Sequence, residues 1–313
     1  MQKIIITTGD GYKLSALFGT PVAESLDTIV ISPATGVKKE FYINFANYLI
    51  QNGYKVLLFD YRGIGGSAPA SLKKSKAYMH EWGTEDMNAV LKYLVDERRL
   101  SNIIWLGHSV GGQLIGFSKY TEHIKKVIAL SAAFGYWGYL PFPSKWMIWA
   151  LWFFVGPLMV RIYGYGLMSK IGWGEDLPPR MMKEWRDWCL SKTYFKPLLE
   201  LKLKMDKFYN FNCPITAVYI SDDFIANEKT VHRMMEFFPN AASEIIRLPV
   251  NELTPHKVGH TGIFRKRFER TLWPELVRII EKPTVDNLLP GINSETVLSK
   301  VKTLKRLRTL GKF

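Results

Sequence analysis

NIIWLGHSVGG, residues Asn102–Gly112, joins an apolar run to the pattern Gly-x-Ser-x-Gly around Ser109. The apolar run predicts a buried strand, and helical spacing of apolar residues follows it. A serine between a strand and a helix lies in a strained turn that lifts its hydroxyl clear of the sheet. Only very small residues at Gly107 and Gly111 let the neighbouring backbone pass closely enough. The segment therefore predicts a nucleophile elbow with Ser109 as the nucleophile.

Short apolar runs alternate with helical patterns on both sides of this segment, which is typical of an α/β fold with a mostly parallel sheet flanked by helices. The predicted strands are Ile4–Thr7, Leu14–Phe18, Thr28–Ser32, Lys55–Asp60, Asn102–Leu106, Lys126–Ser131, Ile215–Ile220 and Glu244–Leu248. The predicted helices are Glu40–Asn52, Thr84–Arg98, Gly111–Lys119 and a last one from about Thr261 to Glu281. We expect the first two strands to form a hairpin.

The alternation stops between about Phe134 and Asn212, where tryptophan, tyrosine, methionine and phenylalanine are frequent. This segment predicts a helical cap inserted into the alternating order of strands and helices. We expect a core over residues 1–133 and 213–282, a cap over residues 134–212, and a separate tail over residues 283–313. The cap would roof an apolar pocket.

An apolar run, Trp146–Val160, lies in the predicted cap between Lys145 and Arg161. A helix that spans a membrane needs about 20 apolar residues. Because this run is shorter and contains Gly156-Pro157, we expect it to be broken there and packed on the sheet. Shallow contact with a membrane is the alternative.

The formal net charge is +14, from 42 basic and 28 acidic residues. Nucleic acid, an anionic membrane surface and solubility would each account for it, but no nucleic-acid-binding signature accompanies it, so we expect no nucleic-acid partner. The tail Glu295–Phe313 combines apolar residues at helical spacing with basic residues on its other faces. It predicts a helix that either docks on the protein body or lies on an anionic membrane.

The N-terminus, MQKIIITTGDGYKL, has no long apolar core, and nothing in it indicates secretion. Cys189 and Cys213 are too few and too isolated for a metal site, and they suggest packed thiols in a reducing compartment. We expect a cytoplasmic protein, peripheral to a membrane if the tail binds one, with no metal and no cofactor.

From Ile4 to Glu281 the chain resembles the α/β-hydrolases, and within them the uncharacterised hydrolases near the monoglyceride-lipase and serine-aminopeptidase-like group. Besides the elbow, three stretches carry the resemblance: SPATG at Ser32–Gly36, DYRGIGGS at Asp60–Ser67 and GHTGIF at Gly259–Phe264. The resemblance implies that the first holds the oxyanion loop and the last holds the catalytic histidine.

A serine hydroxyl needs a base within hydrogen-bond reach and a group that orients the base. His260 is preferred as the base, since it precedes the last helix where the resemblance places the histidine, and His256 is its one serious rival. The acid should follow the strand Ile215–Ile220, and the register of the family's loop favours Asp223. Asp222 is the alternative; the aspartate that does not orient His260 would cap the helix that begins near Asn227.

The resemblance further implies an oxyanion hole made of the backbone amides of Thr35 and Val110. Pro33-Ala34 stands where many relatives have His-Gly, which leaves the amide of Thr35 in place. Asp60 and Arg62 are polar residues near the predicted site, and we expect them to hold the adjacent loop.

The implied activity is hydrolysis of a small-molecule ester with a hydrophobic acyl group, through a Ser-His-Asp triad and an acyl-enzyme intermediate. An acyltransferase or a peptidase would use the same triad, because the fold does not choose among these reactions. A non-catalytic binding protein is a further alternative, although such proteins usually lack a member of the triad. The sequence does not indicate an oligomeric state.

Overall fold

The eight strands form one sheet in a computed structural model that describes residues 1–23, 27–203 and 209–283. They are β1 Gln2–Thr7, β2 Lys13–Gly19, β3 Thr28–Ser32, β4 Lys55–Phe59, β5 Ile103–His108, β6 Ile124–Leu130, β7 Ile215–Ile220 and β8 Ser243–Leu248. Their order across the sheet is β1-β2-β4-β3-β5-β6-β7-β8. β1 and β2 are antiparallel, as are β2 and β4, and the remaining neighbours are parallel.

Helices cover both faces of the sheet. They are α1 Ile43–Gln51, α2 over residues 82–97, α3 Val110–Gln113, α4 Ser144–Tyr163, α5 Pro179–Leu190, α6 Glu228–Met235, α7 Val250–Leu253 and α8 Trp273–Glu281. The strands bury apolar side chains toward both faces, so that one core lies under α2 and the cap segment and the other lies under α1 and α8. This is the α/β-hydrolase fold that the sequence predicted.

The central strands are buried along their whole length, and this fixes where their ends lie. Ser32 at the end of β3 pairs with Gly107 near the end of β5. Because β3 and β5 are parallel neighbours, the loops that follow them emerge at the same edge of the sheet. The loop after β3 and the turn around Ser109 are therefore adjacent.

The last helix begins later than the sequence predicted. The residues after His260 form the 3₁₀ turns Gly262–Phe264 and Lys266–Phe268, and α8 starts only at Trp273. Pro274 lies in its first turn, where proline is favoured, whereas inside a helix that began at Thr261 its ring would meet the carbonyl of Arg270 and its missing N–H would leave that carbonyl without a partner. The prediction of a helix from Thr261 was wrong because apolar spacing alone ignored this proline.

The expectation that the apolar run breaks at Gly156-Pro157 was also wrong. α4 is continuous over Ser144–Tyr163 and is long and apolar enough to cross a membrane by length and composition. A wide π-helical turn, Leu151–Val155, precedes the proline, and Pro157 lies in the first turn of the segment that follows. In a normal α-helix, the proline ring and its missing N–H would disrupt the hydrogen bonds at this point. The π-helical turn changes the hydrogen-bond pattern there, so the helix continues.

The cap segment is attached to the core at several points. Tyr194 donates a hydrogen bond to Gln113 after the elbow, at 2.8 Å, and His80 pairs with Glu184 of α5, at 2.8 Å. The amide of Glu175 donates to the carbonyl of Gly36 in the loop after β3, at 2.7 Å. The predicted amphipathic helix at Glu295–Phe313 lies outside the described residues.

Candidate active site

The turn between β5 and α3 holds Ser109 in a backbone conformation that is rare for any residue except glycine, with φ 53° and ψ −116°. A Cβ on Gly107 would lie 2.4 Å from the carbonyl carbon of Gly111, and one on Gly111 would lie 2.3 Å from the carbonyl oxygen of Ser32. Both distances are shorter than any side chain tolerates. The two glycines are therefore required by the close approach of three backbone segments, as expected for a nucleophile elbow.

His260 lies between Ser109 and Asp223. Its Nε2 is 2.9 Å from the Oγ of Ser109, and its Nδ1 is 2.7 Å from Oδ2 of Asp223. The side chain of His260 is 16% exposed and that of Asp223 is fully buried. The histidine is therefore accessible from solvent, whereas the carboxylate is shielded from water. The structure thus brings together three residues from the ends of β5 and β7 and from the loop after α7.

The carboxylate of Asp223 is held in its ionised form. Burial raises its pKa, but the charge of His260 and the hydrogen bond to it lower the pKa further, as do the amides of Ala226 and Ile225, and the net effect is a pKa below the usual value. Both amides donate to Oδ1, at 3.1 and 2.9 Å. Oδ2 is left for the imidazole.

Asp222 points to a different part of the same loop region. Its two carboxylate oxygens accept hydrogen bonds from the amides of Val258 and Gly259, at 2.8 and 2.9 Å, just before His260. The expectation that the second aspartate caps α6 was wrong, because Asn227 forms that cap itself in a reciprocal capping box with Thr230. Asp222 instead anchors the chain that carries His260.

Thr35 and Val110 belong to the two adjacent segments that follow β3 and β5. Val110 is the first residue of α3, where an amide has no partner inside the helix. Within residues 1–23, 27–203 and 209–283, neither amide donates a hydrogen bond. The carbonyl of Gly36 and the amide of Glu175 fix the loop from the cap side. The two amides expected to form the oxyanion hole are thus without a partner among the described residues, and their role stays a prediction.

His108, the residue before Ser109, connects the loop after β3 to the loop that carries His260. Its Nε2 is 2.8 Å from the carbonyl oxygen of His260, and its Nδ1 is 2.8 Å from the hydroxyl of Tyr42, which also accepts a hydrogen bond from the amide of Ala34. Burial, with the nearby charge of His260, lowers the pKa of His108 to about 3, so the ring is neutral at physiological pH.

The hydrogen positions along this chain follow from the neutral ring. A carbonyl can only accept, so Nε2 of His108 carries the proton and donates to His260. Nδ1 then accepts from the hydroxyl of Tyr42, whose oxygen accepts from Ala34. The relay joins the loop after β3 to the backbone of His260, and no local pattern in the sequence indicated Tyr42 as part of it.

Replacing Tyr42 by phenylalanine should lower the free energy of unfolding by about 1–3 kcal/mol, because the buried amide of Ala34 and Nδ1 of His108 would both lose their partner. Urea denaturation measures this change. Tyr48→Phe, in the helix α1 that directly follows Tyr42, is the matched control, since the Tyr48 hydroxyl has no hydrogen-bond partner among the described residues. Equal losses for both variants would contradict the relay.

The other polar residues singled out from the sequence form their hydrogen bonds with groups other than Ser109, His260 and Asp223 within the described residues. Both oxygens of Asp60 bind Lys39, through its amide at 2.7 Å and its Nζ at 2.6 Å, and Arg62 binds Asp86 through its Nε at 2.7 Å. These pairs hold the loop after β4, as expected. His256 is exposed, and its amide donates to Thr254 at 3.3 Å.

The sheet order, the elbow and the position of the histidine loop describe an α/β-hydrolase, and the profile of the serine aminopeptidase, S33, family matches residues 23–245. The chain belongs to this family of α/β-hydrolases. The matched residues include the elbow and Asp223.

Curated relatives of this α/β-hydrolase match over shorter segments. Abhydrolase domain-containing protein 2 of Drosophila melanogaster is 27% identical over 143 residues, which are 43% of this chain and 35% of that protein. Protein phosphatase methylesterase 1 of Candida glabrata is 30% identical over 122 residues, which are 35% of this chain and 31% of that protein. The chain thus spans about a third of the length of these relatives.

Solved structures match over nearly the whole hydrolase. A soluble variant of monoglyceride lipase from Saccharomyces cerevisiae has a TM-score of 0.64 at 16% identity, with 91% of this chain and 97% of that chain covered. An esterase from Exiguobacterium antarcticum has a TM-score of 0.55 at 19% identity, with coverages of 90% and 100%. At these identities the likeness concerns the fold.

Proposed function

We propose that this α/β-hydrolase cleaves carboxylic esters with Ser109 as nucleophile, His260 as general base and Asp223 as the residue that orients the base. The observation that carries the proposal is the unbroken chain Ser109 Oγ to His260 Nε2, at 2.9 Å, and His260 Nδ1 to Asp223 Oδ2, at 2.7 Å. Both distances lie within the range needed for proton transfer and for fixing the ring.

The lowered pKa of Asp223 determines which nitrogen of His260 is the base. An ionised carboxylate can only accept, so Nδ1 carries the proton and Nε2 presents its lone pair to the hydroxyl of Ser109. As Oγ attacks the ester carbonyl carbon, its proton moves to Nε2. Asp223 stabilises the imidazolium without taking the proton.

The carbonyl oxygen of the ester becomes negative as the C–O bond to Ser109 forms. The amides of Thr35 and Val110, which donate to no other group in the described part of the chain, are the donors for this oxygen. The tetrahedral species collapses when Nε2 returns its proton to the departing alkoxide, which leaves as the alcohol. Water, deprotonated by His260, then attacks the acyl-Ser109 ester and releases the acid.

Two observations support an ester with an apolar acyl group. The proteins to which the chain is similar include a methylesterase, an esterase and a monoglyceride lipase. The cap segment that meets the oxyanion loop at Gly36 also belongs to the part of the chain richest in aromatic and methionine residues. We infer that this segment supplies apolar side chains to the acyl site, which would favour a hydrocarbon chain over a charged peptide.

A series of p-nitrophenyl esters from acetate to laurate tests the proposal with full-length protein. We expect a burst of about one p-nitrophenol per protein followed by slower turnover, because the acyl-enzyme must form before water releases it. Matched aminoacyl p-nitroanilides serve as peptidase substrates. Preferential cleavage of the anilides would replace the proposal with aminopeptidase activity, and the absence of both activities would overturn it.

The same assay separates hydrolysis from acyl transfer. In the presence of an added alcohol, a hydrolase releases mainly the free acid. A product that is mainly the new ester would assign the chain to the acyltransferases instead.

A further inference from the structure

Helix α4 presents a continuous apolar face to solvent. Met147, Phe154, Leu158 and Ile162 recur at spacings that place them on one side of the helix, with Trp146 beside them. More than half of the surface of each of these five side chains is exposed. The opposite side is buried, and 28% of the most apolar stretch of the helix lies inside the protein.

The buried side fixes the helix to the cap. The ring of Trp152 packs edge-on against Trp185 of α5, with 4.9 Å between the ring centroids, and its carbonyl accepts a hydrogen bond from Arg186 at 2.6 Å. A Cβ on Gly156 would lie 2.8 Å from Met182 of α5, so the two helices are in close contact. Because α4 is packed along one side, it cannot cross a bilayer without leaving α5, but it can lie along a surface.

The charges around this face are positive. α4 carries Lys145 and Arg161 and no acidic residue, and the side chain of Lys73 lies against Gly164 directly after the helix. The exposed acid of the neighbouring helix α5, Asp187, is paired with Lys183 and Arg186. Aromatic and aliphatic side chains flanked by cations match the two layers of an anionic membrane surface, acyl chains and headgroups.

The same charges disfavour the other occupants of the face. The segment 284–313 contains six basic and two acidic residues, so it has the same sign as the residues around α4. If a second copy of the chain covered this face, the cations at the ends of α4 would lie close to those of the other copy, and the like charges would repel each other. An anionic lipid surface is the occupant with complementary charge.

We propose that α4 is an interfacial anchor, which docks the protein on anionic membranes with the helix axis in the plane of the surface. Phe154 and Leu158 insert among the acyl chains, and Lys145, Arg161 and Lys73 contact the phosphates. The proposal is independent of the reaction at Ser109, since it concerns binding alone.

Co-sedimentation of the full-length protein with vesicles tests this docking. We expect vesicles of phosphatidylcholine and phosphatidylserine at 3:1 to bind at least tenfold more tightly than pure phosphatidylcholine, with binding weakened by 0.5 M NaCl, as an electrostatic contribution requires. The double variant Phe154→Gln/Leu158→Gln should bind the anionic vesicles at least tenfold more weakly. The matched control Ile5→Gln removes an equally exposed apolar side chain from β1 and should bind like the parent.

Thermal unfolding midpoints confirm that both variants are folded, which the exposure of the substituted side chains leads us to expect. Vesicle binding of the double variant equal to that of the parent would overturn the proposal. Light scattering that shows a dimer for the parent and a monomer for the double variant would also overturn it, because a second copy would then cover the face. Quenching of tryptophan fluorescence by brominated acyl chains, lost in Trp146→Phe, would support it.

Discussion

Ser109→Ala should lower kcat/KM for the preferred p-nitrophenyl ester by at least ~10³-fold, and it should abolish covalent labelling by a fluorophosphonate. Without the hydroxyl no acyl-enzyme forms, and what remains is the effect of the oxyanion donors and of substrate binding. Steady-state kinetics measure the loss, and mass spectrometry of the intact protein measures the label.

The matched control for this variant is Ser169→Ala. Ser169 is an exposed serine in the cap segment, and it is hydrogen-bonded through its backbone, by its amide to Asp176 at 3.0 Å and by its carbonyl to the amide of Gly172 at 3.2 Å. It should retain full activity and full labelling. A Ser109→Ala protein that is still labelled at the parental rate would mean that another residue is the nucleophile.

Asp223→Asn should lower kcat by about 10²–10⁴-fold with a much smaller effect on KM, because an asparagine NH₂ at this position favours the wrong tautomer of His260. Nε2 would then carry the proton and could not accept one from Ser109. The structural control is Asp222→Asn, which disturbs the hydrogen bonds to Val258 and Gly259 and leaves the carboxylate beside His260 in place. We expect it to cost about 1–3 kcal/mol of unfolding free energy and less than tenfold in kcat.

These two variants also distinguish a catalytic from a structural role within one loop. A larger loss of kcat in Asp222→Asn than in Asp223→Asn would show that the carboxylate next to His260 in the structure is not the one that matters in solution. A loss of stability in both with unchanged kcat would remove the triad from the mechanism.

The parts of the fold that the sequence predicted correctly are those whose causes are local. β3 and β7 begin and end where their apolar runs do, at Thr28–Ser32 and Ile215–Ile220, because a strand buried on both faces has little choice of residue. The elbow was predictable for the same reason: the glycines that permit it lie within a few residues of Ser109. The sequence also selected the residues that the structure places in one hydrogen-bonded chain, although their roles stay predictions.

The parts that were missed depend on distant contacts. Tyr42 meets His108 across 66 positions of sequence, and neither residue carries a signal for the other. Likewise, the second aspartate of the loop, Asp222, was expected to cap α6, and only the proximity of Val258 shows what it binds instead. Hydrogen-bond partners of short polar side chains are set by the tertiary structure, which local patterns do not contain.

The error at α4 has a different cause. Proline disrupts a helix when its ring meets the carbonyl four residues earlier, and the sequence does not reveal the wide turn at Leu151–Val155 that changes this geometry. Because the helix is continuous, its exposed apolar side extends over several turns. The aromatic and aliphatic residues of the cap then serve the proposed membrane docking as well as packing.

The backbone at Ser109, with φ 53°, has a consequence for how this sequence can evolve. Glycine would adopt that conformation without strain, whereas serine does so at a cost of about 1–3 kcal/mol. In a lineage that no longer needed the hydroxyl, mutations to glycine would be favoured by thermostability alone, and the nucleophile would be among the first residues to drift. A serine that persists here is held by selection for its oxygen.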